Sequence, residues 1–400
     1  MSPIRVLARL RPSLSFSLTQ FQSIRNLALA AFVLGICLPL LAEAPPPADP
    51  PRGTNLLAQH FKFVTADLAS HYRYVDTGPG KVTTRDLYYK MSTRVQINLL
   101  GNGTTYLHAR GESGRSFTSS NDYTGVGGDK AYWSYNLKSL YIGQKIGPNF
   151  EAQVGGIDYD QGVGSEMTYT DNDAWMEGYR LRYTRPGGRY YMPNKLSVTV
   201  GCMGDFLKPN VFSRFSRLGE ENYLQVLGSK KLGETREVSA EFDSIQSVRF
   251  AREAFRWQKL HLFVIDDLLL ESITRASDNP TFGWAGALYR TFDKRGRFRA
   301  GVFYSDMPAG IFLKRPAPVQ IAAGVTPAAA AKPTTIWMNG DFYPAGKRMG
   351  PSVRVIPFKN FEVTAMGGGR LDNTSGTRYR GQVLFRYSFA DLLNQALRYY

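Results

Sequence analysis

The stretch Arg378-Tyr-Arg-Gly-Gln-Val-Leu-Phe-Arg-Tyr-Ser-Phe389 decides how this chain is read. Tyr379, Val383, Phe385, Tyr387 and Phe389 alternate with Arg378, Arg380, Gln382, Arg386 and Ser388, and only Leu384 breaks the polar face. Side chains of a strand point to opposite faces in turn, so this segment needs oil on one side and water on the other. Either the edge of a soluble core or a barrel wall with lipid outside and a wet lumen inside meets that need.

The same pattern recurs along the chain. Val95, Ile97 and Leu99 alternate with Arg94, Gln96 and Asn98; Leu181 and Tyr183 with Arg180, Arg182 and Thr184; Leu196, Val198 and Val200 with Ser197 and Thr199. Phe298, Ala300, Val302 and Tyr304 alternate with Arg297, Arg299 and Ser305, and Phe361, Val363 and Ala365 with Glu362 and Thr364. The apolar faces end in aromatics, as membrane girdles do. Beyond the leader no apolar run reaches the roughly 18 residues of a helical span. The expected fold is an all-β transmembrane antiparallel barrel.

Residues 1–44 read as an export signal. Arg5, Arg9, Arg11 and Arg25 precede the apolar run Leu27 to Ala42, and Ala42-Glu43-Ala44 places small residues where a signal peptidase reads them. Without this leader Cys202 is the remaining cysteine, which excludes a disulfide framework or a cysteine metal site. The 49 basic and 33 acidic residues become 45 and 32, an excess of 13 positive charges. These charges are spread over alternate strand positions with no basic block or helix, so nucleic acid is not the expected partner. A basic lumen, or a rim facing anionic lipopolysaccharide, accounts for them better.

Tight turns are expected at Gly101-Asn102-Gly103, Gly147-Pro148-Asn149, Leu232-Gly233-Glu234, Asp293 to Gly296 and Lys359-Asn360. Longer polar connections fall at Ser113 to Lys130, Asp160 to Ala174, Lys208 to Glu221 and Pro308 to Pro333. Short turns at one end and long loops at the other are the asymmetry of a bacterial outer-membrane barrel, and about 16 strands, or 14 if weak ones merge, fit the length. In Phe250 to Ile273 the alternation fails: Glu253, Arg256 and Lys259 sit at helical spacing, and either a helix or, as preferred, two strands joined at Asp266-Asp267 is expected there. Pro308 to Pro333 is a candidate constriction or a surface loop. The expected organisation is a periplasmic segment over 45–67, the barrel over 68–389 and a short periplasmic tail over 390–400, with Leu392, Leu393, Ala396, Leu397 and Tyr400 on one helical face.

The hairpin Ser139-Leu-Tyr-Ile-Gly-Gln-Lys-Ile-Gly-Pro-Asn-Phe-Glu-Ala-Gln-Val-Gly-Gly156 and the closing strand Val383 to Phe389 resemble those of Gram-negative outer-membrane porins and alginate-export-like barrels. The resemblance implies a passive, trimeric channel in outer-membrane lipid and lipopolysaccharide. It also implies that the barrel-assembly machinery reads Val383, Phe385, Tyr387 and Phe389, although here Ala390 to Tyr400 follow that strand.

By alternation, Arg94, Arg110, Arg180, Arg182, Arg297, Arg299, Arg378, Arg380 and Arg386 point inward toward Glu112, Glu151, Glu237, Glu241 and Glu362. Opposed fixed charges select ions without conformational work, and the excess of arginine predicts a weak preference for anions among small hydrophilic solutes. Structural pairing of the same charges is the competing reading. Export of an anionic polysaccharide, or a plugged barrel with an enzymatic or assembly role, is the alternative. No G-x-S-x-G elbow is present, and His108 is expected on the lumen face beside Arg110, so no enzyme is expected. The scattered histidines His60, His71, His108 and His261 lack metal spacing, and Asp158, Asp160, Asp171 and Asp173 lack a calcium-loop pattern. No cofactor or metal is expected.

Overall fold

The computed structural model describes residues 56–78, 82–100, 103–113, 125–126, 135–168, 175–185, 192–203, 219, 221–245, 248–276, 280–308, 311, 345–372 and 378–399. The leader over 1–44 and most of the Pro308 to Pro333 loop lie outside them.

A helix over Leu56–His60 leads into β1 (Phe61–Asp76), followed by β2 (Val82–Asn98), β3 (Thr105–Ser113), β4 (Gly125–Val126), β5 (Tyr135–Ile146) and β6 (Phe150–Asp158). Next come β7 (Trp175–Thr184), β8 (Lys195–Met203), β9 (Tyr223–Leu232), β10 (Arg236–Ile245), β11 (Val248–Leu262) and β12 (Ile265–Arg275). The last strands are β13 (Thr281–Thr291), β14 (Phe298–Met307), β15 (Gly346–Phe358), β16 (Phe361–Arg370) and β17 (Tyr379–Ser388), and a helix over Ala390–Tyr399 ends the chain. Each strand pairs antiparallel with the next, except that β3 pairs directly with β5 while the two-residue β4 touches Leu87 and Tyr88 of β2. The remaining 16 strands form the ring, closed where β1 meets β17 from Asp67↔Ser388 to Asp76↔Tyr379. Closure leaves no open edge over the paired length of β1 and β17.

The expected tight turns after Ile146, Leu232, Thr291 and Phe358 are present, with left-handed backbone at Gly147, Gly233, Gly296 and Asn360; Gly103 is left-handed too, whereas Gly101 and Asn102 lie outside the described residues. The hairpin between β11 and β12 departs from expectation. It turns at Phe263 and Val264, with Phe263 at φ 51°, and Asp266 and Asp267 belong to β12. Asp267 binds Arg256 and Arg299 on the inner face, and Asp266 accepts a bond from the backbone N–H of Thr291 at 2.7 Å. The aspartates hold the wall instead of turning the chain.

Most outward side chains are apolar, and the inward ones are polar except for an apolar cluster on β11 to β14. On β10, Phe242 is exposed while its neighbours Glu241 and Asp243 are buried within the barrel. Leu68, Ile142, Val226, Leu270, Val302 and Phe385 are likewise exposed on the outside. Aromatic pairs gather at the tight-turn end, Phe150 with Tyr183, Phe292 with Phe298 and Phe358 with Phe361, at centroid distances of 5.1, 4.8 and 4.8 Å. Trp284 with Tyr304 and Tyr74 with Tyr379 lie toward the loop end. Two aromatic belts around an apolar band are the surface of a lipid-embedded barrel. Glu253 is an outward exception, accepting a bond from the Ser272 hydroxyl at 3.2 Å.

β1 begins at Phe61, earlier than the expected Leu68, so Phe61 and Phe63 extend the wall and do not belong to a separate periplasmic segment. Phe61–Ala66 run past the last partner of β1 in β17. This free edge is covered by the C-terminal helix: Asn394 Oδ1 accepts from the Phe63 N–H at 2.9 Å and Nδ2 donates to the Phe63 carbonyl at 2.8 Å. One amide side chain thus replaces the missing strand. The packed helix face carries Leu393, Asn394 and Leu397, whereas Leu392 and Ala396 are exposed, a correction to the expected apolar face. Asn394→Ala should therefore cost roughly 1 to 3 kcal/mol, since two backbone groups lose their partner. A lower temperature for the loss of the compact form in unheated-sample electrophoresis checks this; an unchanged midpoint would contradict it.

Candidate functional site

Beyond β6 the chain does not leave the barrel mouth. Tyr159 to Thr168 fold inward and lie against the inner wall of β9 to β13. The Tyr159 hydroxyl donates to the Glu241 carboxylate, Gln225 Nε2 donates to the Asp160 carbonyl at 2.7 Å, and the Val163 N–H donates to the Ser229 hydroxyl at 3.2 Å. At the far end Glu271 receives the backbone N–H groups of Glu166, Met167 and Thr168 at 2.6, 2.9 and 2.7 Å, and the Thr168 hydroxyl at 2.8 Å. Arg256 pairs with Glu166 at 2.9 Å, and Arg252 Nε donates to the Thr168 carbonyl at 2.7 Å.

Packing explains the course of this segment. Tyr159 and Met167 are buried with inward apolar residues of the wall, among them Phe250, Leu269, Ile273 and Phe303. Burying a methionine-sized side chain contributes about 1.5 to 3 kcal/mol. Two glycines allow the close approach. A Cβ on Gly162 would stand 2.5 Å from the Ser239 hydroxyl oxygen, and Gly164 adopts φ +81° with the Arg256 side chain 3.1 Å from where a Cβ would be. Ile311, at the start of the Pro308 connection, joins the same apolar cluster beside Met307.

Opposite the anchors, the segment leaves a cavity of about 430 Å³ whose walls include β2, β3, β5 and β7. Arg94, Arg110, Arg180 and Arg182 are brought together here, as alternation predicts, and His108 stands beside them. Three residues absent from the predicted set complete the charge pattern: Lys195, Asp158 and Asp160. Arg110 reaches Asp158 at 3.2 Å, and Arg94 lies 3.9 Å from it. Lys195 meets Asp160 at 2.5 Å and Arg182 meets it at 3.3 Å. Burial opposes the charge of the Asp160 carboxyl, but Arg180, Arg182 and Lys195 outweigh it and hold this group well below the usual carboxylate range. Five cations against two carboxylates leave an excess of three positive charges on the cavity wall.

Other predicted residues pair along the inner wall, Glu112 and Glu151 with arginines of the cavity itself. Glu112 is buried under Arg110, Lys90 and Lys138; Glu241 binds Arg252 at 3.0 Å; Glu237 lies 3.6 Å from Lys231. Glu362 pairs with Arg354 at 2.7 Å, Arg386 with Asp67 at 3.6 Å, and Arg299 with Asp267 at 2.6 Å. Glu151 accepts the Tyr106 hydroxyl and lies 3.8 Å from Arg182. Arg380 is half-buried on the inner face of β17. Arg297 and Arg378 correct the expectation: each stands one residue before its strand, exposed at a rim, and neither joins the inner charge rows. Val383, Phe385 and Tyr387 face outward on β17, with Phe389 directly after it.

The aspartates weighed as a calcium loop are engaged with cations at Asp158 and Asp160, whereas Asp171 and Asp173 lie outside the described residues. Among the described residues no group of three or more acids, histidines or cysteines is placed to hold a metal ion.

Solved structures share this architecture. Salmonella typhi OmpF, in a complex with daunomycin, aligns over 83% of this chain and 98% of its own at 10% identity and a TM-score of 0.50. A mutant porin of Rh. blastica aligns over 82% of this chain and 100% of its own at 12% identity and a TM-score of 0.48. No protein-family model matches the sequence, and no curated protein matches it. The chain is a porin-like closed β-barrel.

Proposed function

We propose that this chain is a bacterial outer-membrane porin that passes small hydrophilic solutes with a weak preference for anions. The observation that carries the reading is the segment Tyr159 to Thr168, fastened inside the barrel beside a cavity whose charged lining residues are mainly cations. Charges fixed beside a narrowed path act on a passing ion at short range, where their field is least screened. Paired rows of arginine and carboxylate elsewhere on the wall keep the lumen wet and rigid. The inner segment favours small solutes over a polymer chain, and passage by diffusion needs neither cofactor nor catalytic residue.

The apolar band with its two belts supports a place in the outer membrane, in contact with lipid and lipopolysaccharide. The same reading assigns residues 1–44 to a cleaved export signal and Val383, Phe385, Tyr387 and Phe389 to recognition by the assembly machinery. A homotrimer is its expected assembled state.

Swelling of proteoliposomes tests this reading. Uncharged monosaccharides should enter quickly and larger oligosaccharides slowly, and a small carboxylate should enter faster than an ammonium compound of equal size. Rates equal to those of protein-free liposomes would overturn it.

A further inference from the structure

At the tight-turn end every strand of the ring except β1 and β17 is joined to a neighbour with which it pairs. The hairpins run β2–β3, β5–β6 and on to β15–β16, and the place left over is where the chain begins and ends. A hairpin fixes the register of its strands through the length and type of its turn. Between β17 and β1 there is no turn. Alternation does not fix their register either: a slip of one residue would turn every side chain over, but a slip of two keeps Val383, Phe385 and Tyr387 on the outside. β1 itself invites such a slip, because Phe61–Ala66 extend past Ser388 and the backbone groups of an open edge attract the next strand.

The C-terminal helix occupies this gap and touches both strands. It continues β17 directly: the Phe389 N–H donates to the Ala66 carbonyl at 2.8 Å, and the Leu393 N–H donates to the Phe389 carbonyl at 3.0 Å in the first helical turn. Asn394 exchanges two bonds with Phe63, as a paired strand residue would. The start of β1 is held in turn, with His60 Nδ1 2.8 Å from the Asn98 carbonyl oxygen and Asn98 Nδ2 donating to the Gln59 carbonyl at 3.0 Å. A two-residue slip moves β17 by about 7 Å along β1. The bonds of Asn394 at 2.9 and 2.8 Å do not survive that shift.

We propose that the C-terminal helix takes the place of the missing turn and sets the register in which β17 closes on β1. Strand tilt, stagger and barrel size are linked, so this register also sets the cross-section of the lumen. The role belongs to the wall and holds whatever passes through it. Asn394 meets Phe63 in the register that puts Ser70 opposite Phe385. Without the helix, β17 slides toward the turn end to pair with Phe61–Ala66, and Phe385 comes opposite Leu68.

Cross-strand cysteine pairs read the register. Residues directly opposite stand about 4.5 to 5.5 Å apart between Cα atoms, within disulfide reach, whereas partners two residues off are about 7 to 8 Å apart. In the full mature chain with Cys202→Ala, refolded from urea into detergent, Ser70→Cys with Phe385→Cys should cross-link and Leu68→Cys with Phe385→Cys should not. Asn394→Ala should raise the slipped cross-link relative to the native one about tenfold, as expected for the loss of two hydrogen bonds, and ending the chain at Phe389 should raise it further. A helix that only adds stability predicts otherwise: a lower unfolding midpoint, with the native cross-link alone. The native cross-link alone in the shortened chain would overturn the proposal; if the shortened chain does not fold, the native cross-link alone in Asn394→Ala overturns it.

Discussion

Replacing Glu271 by alanine should release the Glu166 to Thr168 end of the inward segment from the wall and raise single-channel conductance, with increased current noise. Glu271 is buried on the inner face of β12 and receives three consecutive backbone N–H groups and a hydroxyl from Glu166 to Thr168. Hydrogen bonds to a charged group contribute about 1.5 to 3 kcal/mol each, and although they do not add fully, their joint loss outweighs the burial of one side chain such as Met167. Arg256, Tyr289 and Arg252 then hold the far end by Glu166 and the Thr168 carbonyl, while Tyr159, Asp160 and Val163 keep their own anchors. The carboxylate does not belong to the outer surface, so insertion of the barrel should survive the change. Glu271→Gln, which keeps the shape and one strong acceptor, should show a smaller rise. Unchanged conductance and noise in Glu271→Ala would mean that the segment does not narrow the path.

Selectivity should respond most to Arg94 and Arg182. Both guanidinium groups reach into the cavity, whereas Arg180 is committed to Thr199 and Gln153 at 2.9 and 3.1 Å. Neutralising Arg94 and Arg182 leaves Arg110, Arg180 and Lys195 against Asp158 and Asp160, which lowers the excess from three positive charges to one. A unit charge at about 4 Å contributes on the order of 1 kcal/mol even at the dielectric constant of water, so the double change Arg94→Gln, Arg182→Gln should remove most of the anion preference at low salt. Lys195 still holds Asp160 at 2.5 Å, which preserves the local fold. The reversal potential under a salt gradient should move toward zero, and the shift should shrink as salt is raised, because the Debye length falls from about 10 Å at 0.1 M to about 3 Å at 1 M. An unchanged reversal potential would place selectivity elsewhere.

Much of the wall was legible in the sequence because lipid on one side and water on the other enforce period-two alternation. Arg94, Arg110, Arg180 and Arg182 were found in this way, as was the closing strand. Register beyond strand ends was not: Arg297 and Arg378 share the inner parity yet stand at the rims. The inward segment was missed for a physical reason. Where it covers the wall, the inner face no longer meets water, so Phe250, Leu269 and Ile273 face inward and the alternation of β11 and β12 fails. That failure, visible as the irregular stretch Phe250 to Ile273, was itself the signal of a covered inner wall. Asp158 and Asp160 carried no such signal, since a short acidic run reads as a solvated loop until its arginine partners are brought to it by the fold.

The central claim is an open lumen whose narrow part favours anions. Single-channel recording of the purified, folded chain in a planar bilayer under a potassium chloride gradient tests it most directly. Stepwise conductance with a reversal potential on the chloride side of zero is the predicted result; folded protein that inserts without conducting, or that conducts with potassium preference, would contradict it.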